Sequence, residues 1–248
     1  MKKLLILIQL ILATTASAEI REAKSMREAL SDVTANDIVV FDIDNTILEP
    51  AQTLGSDQWF EYLLKKYDNS VDKALGDWLA VQRQTKVVAV ESETPALIRD
   101  LQNRGMTVIS LTARPAELSQ ASNQQLLSVG VKFKKIAPVV LENATYDFGI
   151  IFIGPGANKG VVLQQFLKKT ALFPTRILFV DDKQKNVNNM DKAFIGTGTT
   201  NINFRYSAAD AHVHSFDSEI AELEWDYFSN YGVLIDDETA EIILGATQ

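Results

Sequence analysis

The stretch Val39-Val40-Phe41-Asp42-Ile43-Asp44-Asn45-Thr46-Ile47-Leu48-Glu49-Pro50 ends an apolar run on two acids, and its reading decides the fold. Burying an unpaired charge is costly, so Asp42 and Asp44 need a partner that offsets their place at the end of a buried strand. In a strand, residues i and i+2 share a face, so the two carboxylates converge. Open parallel sheets bind ligands at the carboxyl ends of their strands. Alone, the pattern D-x-D-x-[ST] recurs by chance at ordinary composition, and the rest of the chain has to narrow it.

Outward from Ile38–Phe41, short apolar runs alternate with amphipathic segments. Residues 20–30 read as a helix leading into the first strand. The run Met106–Leu111 follows a helix marked by Thr94, Pro95 and Gly105. Pro115–Val129 reads as a helix stopped by Gly130, Gly149–Gly154 as a strand, and Asn158–Thr170 as a helix with Val162, Leu163, Phe166 and Leu167 on one face. Arg176–Val180 is the fourth strong strand, and a polar helix and a strand over 201–206 follow it. Strands alternating with helices predict an α/β fold, a doubly wound parallel sheet covered on both faces.

Residues 51–92 break the alternation. Trp59, Phe60, Leu63, Leu64 and Tyr67, then Leu75, Trp78 and Leu79, fall at helical spacing, which predicts a small helical insertion directly after the first strand. The core domain then comprises 19–50 and 93–248. The tail from Asp217, with Leu223, Trp225, Tyr227 and Phe228, reads as helices packing on the flank of the sheet.

The chain opens with Lys2 and Lys3, an apolar run from Leu4 to Ala13 and the small triplet Ala16-Ser17-Ala18, the layout of a secretory signal peptide over 1–18. The run is short for a bilayer span, so a retained anchor is the weaker reading. Cleavage leaves 22 basic against 32 acidic residues, which disfavours nucleic acid as a partner and leaves no membrane segment. The expected location is periplasmic or secreted. The absence of cysteine excludes thiol nucleophiles, thiolate zinc sites, disulfides and lipidation at an N-terminal cysteine.

The other strands complete the chemistry. The second ends Leu111-Thr112-Ala113-Arg114, the fourth ends Val180-Asp181-Asp182, and Lys159 opens the helix between them. Clustered carboxylates stay ionised together only around a cation, and all-oxygen ligation favours Mg²⁺. The set suits phosphoryl transfer. Asp42 attacks phosphorus, Asp44 exchanges the proton of the leaving oxygen and of the hydrolytic water, and Thr112 and Lys159 hold the equatorial oxygens. Arg114 is a further substrate-binding candidate or a structural ion pair.

These four motifs resemble those of the haloacid-dehalogenase superfamily, over about Ile38 to Tyr206. The resemblance implies a Rossmann-like core with the helical insertion 51–92 as a cap over the site, a Mg²⁺-dependent phosphatase activity on a small phosphorylated substrate, Asp42 as nucleophile and Asp44 as acid/base. Thr46 closes the first motif, Thr112 is the second, Lys159 the third, and Asp181 with Asp182 the fourth. Metal ligation is implied for Asp42, the main-chain carbonyl of Asp44, and Asp182, with Asp181 close by. Asn186 stands where many relatives have an acid. DIDNT, LGSDQWF and LTARP, with the signal peptide, are most similar to an exported, largely uncharacterised bacterial branch.

Plainer readings stand beside these. Asp42 and Asp44 suit strand-end caps, Thr112 a helix cap, and Lys159 a solvated lysine competing with Lys132, Lys134 and Lys135. Trp59, Phe60 and Trp78 are the core of the cap or a substrate platform, Glu49 faces the site or water, and His212 and His214 lack a third metal ligand. A secreted binding protein with little turnover, or transfer of the phosphoryl group to an alcohol, would use the same residues. A protein partner is not legible.

Overall fold

The computed structural model describes residues 18–246, so the signal-peptide segment lies outside the described residues except for Ala18. Among the described residues nine strands form: β1 (Ala18–Ala23), β2 (Ile38–Phe41), β3 (Leu48–Pro50), β4 (Val87–Ala89), β5 (Thr107–Thr112), β6 (Thr145–Asp147), β7 (Ile150–Phe152), β8 (Arg176–Asp181) and β9 (Thr200–Tyr206). The helices are α1 (Met26–Ala29), α2 (Asp57–Lys66), α3 (Val71–Gln82), α4 (Thr94–Asn103), α5 (Ser119–Ser128), α6 (Lys159–Lys169), α7 (Gln184–Phe194), α8 (Asp210–His214), α9 (Ser218–Tyr231) and α10 (Asp237–Ala246).

Seven strands make one sheet in the order β1-β9-β8-β2-β5-β7-β6, parallel throughout except for β6 against β7. The expected α/β architecture is therefore present as a mostly parallel sheet. Period-two alternation along β2 explains its two layers. Val39 and Phe41 pack with Ile98, Leu101 and Leu126 of α4 and α5, and Ile38 and Val40 pack with Leu163, Phe166, Val187 and Met190 of α6 and α7. The antiparallel edge turns at Phe148-Gly149, both with positive φ (53° and 82°), the geometry of a tight primed hairpin. A Cβ on Gly149 would lie 2.7 Å from the Lys134 carbonyl oxygen, so only glycine fits there.

Residues 20–30 depart from their expected helix. Ala18–Ala23 instead pairs in parallel with β9, Ile20 against Asn203, and only the four-residue α1 is helical. The open edge of β9 accepts a strand, and tertiary pairing overrides local propensity.

Between β2 and α4 the chain forms the hairpin β3–β4, Leu48 against Ala89, and the helix pair α2–α3 rises from it. Trp59, Leu63, Ala74, Trp78 and Val81 form a core of their own. The tail corrects a second expectation, because α9 packs on these cap helices and not on the flank of the sheet. Ala221, Trp225 and Phe228 join the cap cluster, and Trp225 stacks at 5.5 Å from Trp59. Two helices of 10 and 12 residues cannot enclose Trp59 unaided, and the stripe on α9 supplies the missing cover. No helix among the described residues is long and apolar enough to cross a membrane.

Two acids of the tail hold the loop that enters the cap. Glu224, fully buried, accepts from the Leu54 N–H at 2.6 Å, and Asp237 accepts from the Thr53 N–H and hydroxyl at 2.6 and 2.9 Å. Burial, then the hydrogen bond with Asp237, pushes the Glu224 carboxyl up to about 9. The folded state thus keeps a proton that the unfolded chain releases, and stability falls as pH rises from about 4.5 to about 9. Glu224→Gln keeps the acceptor for Leu54 and offers Asp237 an N–H. Its expected gain is on the order of 2 kcal/mol at pH 8, shrinking toward pH 5. Parallel melting curves across that range for the two proteins would contradict this.

Candidate active site

β2 runs out at Phe41, and the Asp42 N–H still pairs with the Val180 carbonyl of β8 at 2.9 Å, which fixes the Asp42 backbone beside the end of that strand. Lys159 is buried under it. Its Nζ lies 2.7 Å from Asp42 Oδ1 and 2.6 Å from Asp181 Oδ2. Asn158 caps α6 by accepting from the Val161 N–H, which places Lys159 at the first helical position. Gly160 brings α6 onto α7, since a Cβ there would sit 2.5 Å from the Ala193 Cβ. Asp181 Oδ1 accepts from the Lys183 N–H at 2.8 Å and from Asn186 Nδ2 at 3.0 Å. Asn186 therefore holds Asp181 from α7.

Asp182 completes the group. One oxygen receives Asn45 Nδ2 at 3.4 Å, from a residue with φ of 56°, and the other is buried with no hydrogen-bond donor. Asp42, Asp181 and Asp182 offer oxygens within 4.8 Å of one another. Burial, opposed by Lys159 and reinforced by Asp181 and Asp44, pushes the Asp42 carboxyl up to about 7. Burial, then Asp181 and Asp42, drives Asp182 well above the ordinary carboxylate range. Burial opposes the Lys159 charge, but Asp181 and Asp42 outweigh it and raise its pKa. Lys159 balances one of the three carboxylates, and Lys183, which also acts on Asp182, is paired with Asp57 and Glu61, so negative charge is left over. An orphaned oxygen and an all-oxygen donor set fit a hard divalent cation.

Asp44 stands apart from this cluster. Arg114 grips it from two nitrogens, Nε to Oδ2 at 2.9 Å and Nη2 to Oδ1 at 2.7 Å. Arg114 Nη1 donates to Ser122 Oγ and to Gln125 Oε1 on α5 at 2.9 and 2.6 Å. Four of its five N–H groups are thus taken, leaving one for a ligand. Gln125 in turn donates to the carbonyls of Gln82 and Thr85, each at 3.1 Å, where the chain leaves the cap. A chain of hydrogen bonds therefore runs from the cap to Asp44. Thr112, fully buried at the end of β5, accepts from the Arg114 N–H at 3.1 Å, which leaves its O–H to donate. Thr46 is fully buried behind the motif.

A cavity of about 270 Å³ opens over Asp42, Asp44 and Lys159. Its roof comes from the cap, with Asp57 and Phe60 on α2 and Leu75 and Trp78 on α3. Trp59 is cap core, whereas Phe60 and Trp78 belong to both the core and the cavity wall. Asp57, the first residue of α2, pairs with Lys183 at 2.5 Å, and Glu61 follows at 3.3 Å. Burial pushes the Asp57 carboxyl up, but the Lys183 ammonium beside it prevails and holds it below the usual range. This ion pair, which ties the cap to the loop after Asp182, escapes sequence reading because an acid in the first turn of a helix has a local explanation. Glu49 faces His212 Nδ1 at 2.8 Å, and both lie away from the carboxylate cluster.

Residues 19–241 match the family described as "Protein of unknown function (DUF2608)". Relatives similar to this chain include a "Putative outer membrane protein" of Chlamydia trachomatis, 25% identical over 94% of this chain and 92% of its own length. "Uncharacterized protein RP296" of Rickettsia prowazekii is 28% identical over 90% of this chain and 88% of its own. Among solved structures, the Class C acid phosphatase from Bacillus anthracis overlaps 82% of this chain and 81% of its own at 14% identity and a TM-score of 0.40. Similarity that loose speaks neither for activity nor for substrate. The match across most of its length shows that the chain belongs to the family described as Protein of unknown function (DUF2608).

Proposed function

We propose that the chain is an exported, Mg²⁺-dependent phosphomonoester hydrolase of the haloacid-dehalogenase superfamily, acting through an aspartyl-phosphate on Asp42. The observation that carries this reading is the charge imbalance at the end of β2. Asp42, Asp181 and Asp182 gather within 4.8 Å of one another, with Lys159 bridging the first two, under a cavity large enough for a small phosphate ester. Export is supported by the layout of residues 1–18 and by the names of the relatives.

Asp42, Asp182 and the main-chain carbonyl of Asp44 would hold the cation, with Asp181 beside them. Once bound, it supplies the positive charge that lets an anionic carboxylate approach an anionic phosphate. An Asp42 oxygen forms the new bond to phosphorus as the bond to the ester oxygen breaks. The departing alkoxide takes a proton from Asp44, directly or through water. Water then attacks phosphorus, Asp44 accepts its proton, and Asp42 is released with inorganic phosphate. Lys159 neutralises Asp42 and the transferring oxygens, and Thr112 donates its free O–H to one of them.

The test is phosphate release from p-nitrophenyl phosphate by the purified chain from Glu19 onward, with Mg²⁺ or with a chelator. Turnover that appears with Mg²⁺ and disappears with the chelator is the expected result. Equal rates in both, or none in either, would contradict it.

A further inference from the structure

The cavity has two ends of opposite chemistry. Its floor is the charged site of Asp42 and Lys159. Its cap-side wall consists of Phe60 and Leu64, one turn apart on α2, with Leu75 and Trp78, likewise one turn apart on α3. Trp59, Leu63, Ala74, Trp78 and Val81 form the interior of the cap, and Phe60, Leu64 and Leu75 pack against it from the cavity side. Phe60, Leu64 and Leu75 stay half-buried, so each keeps part of its apolar surface open to the cavity. The charged side chains on this side are engaged, Asp57 and Glu61 both on Lys183. Lys185, exposed among the lining residues, is the cation in reach of a second anionic group.

We infer that the substrate is a phosphomonoester of a small apolar alcohol, alkyl or aryl, whose hydrocarbon part is taken by Phe60, Leu64, Leu75 and Trp78. This rests on the phosphatase reading above. An apolar wall meeting a polyhydroxylated leaving group would desolvate hydroxyls without replacing their hydrogen bonds, whereas a hydrocarbon covers the wall and gains from burial. The volume of about 270 Å³ lies at the small end of ligand pockets, which suits a compact ester and not a phosphorylated side chain on a folded protein.

The probes are non-hydrolysable n-alkylphosphonates from methyl to hexyl, titrated by calorimetry into the mature chain with Mg²⁺ present. Affinity should rise about threefold to fourfold per methylene until the wall is covered. Leu64→Asn and Leu75→Asn, each checked by thermal melting, should weaken binding increasingly with chain length, to about tenfold for hexylphosphonate. In parallel, n-hexyl phosphate should be hydrolysed at higher kcat/KM than glycerol 3-phosphate or glucose 6-phosphate, although their more acidic alcohols are the better leaving groups. Affinity flat with chain length, or tighter binding of a glycerol- or carboxylate-tipped phosphonate, overturns the inference, and the carboxylate case would point to Lys185. If the esters are hydrolysed without the methylene ladder, the substrate class is wrong and the phosphatase reading stands. If the ladder appears and no ester is hydrolysed, the phosphatase reading is wrong and the apolar site stands as a binding pocket.

Discussion

Asp42→Asn is expected to lower turnover by about four orders of magnitude or more, with the fold kept. The amide has the shape of the carboxylate and still lies beside Lys159, but it cannot form a stable bond to phosphorus. The same change relieves crowding. With the wild-type carboxyl pushed up to about 7 by burial, the folded, metal-free protein holds a proton that the unfolded chain releases above its ordinary value of 3.8. Stability without metal therefore declines as pH rises from about 4 to about 7, and the variant should flatten that decline. Thermal melts in chelator at pH 5 and pH 7, beside an activity assay with Mg²⁺, check both halves. Activity within tenfold of wild type would remove Asp42 from the nucleophile's place.

Arg114→Met should be the most damaging substitution outside the carboxylate cluster. The guanidinium is 2% exposed and holds both oxygens of Asp44 while hanging from Ser122 and Gln125. Methionine replaces only the aliphatic stem and leaves Asp44 buried and unpaired, a loss of about 3–5 kcal/mol. It also frees Asp44 from the link through Gln125 to the end of the cap, so kcat should fall about 10²- to 10³-fold. Because the loss acts on proton transfer through Asp44, it should be larger for an alkyl phosphate than for p-nitrophenyl phosphate, whose leaving group needs no proton. Arg114→Lys restores the charge without the fork and should recover part of the stability and little of the rate. Melting within about 2 °C of wild type, or equal loss on both substrates, would contradict this role.

The readable parts of this chain are those where local chemistry and tertiary role coincide. Val39 and Val40 face opposite layers because alternation is a backbone property, and the ends of β2, β5 and β8 follow from apolar runs that stop on polar residues. Asp42, Lys159, Asp181 and Asp182 accordingly meet in space. Ala18–Ala23 was not readable as a strand, since its conformation is imposed by the edge of β9, 180 residues away in the chain. The tail went to the cap for a similar reason, because the need to cover Trp59 cannot be seen without the cap's geometry. Arg114 was a substrate candidate or a structural ion pair by sequence, and the structure spends four of its five N–H groups on Asp44, Ser122 and Gln125. Asp57 lies in the LGSDQWF stretch with no role legible there, Lys183 and Gln125 fall outside the quoted motifs, and each has an ordinary surface or helical explanation until the cap is seen over the site.

The most direct test of the account is to quench the mature chain with acid during turnover of a phosphomonoester in Mg²⁺ and to map the modified peptide by mass spectrometry. The account predicts a phosphoryl group on the peptide containing Asp42, at that residue, and none in Asp42→Asn. Turnover with no trapped phosphoryl group, or with the group on any other residue, would contradict it.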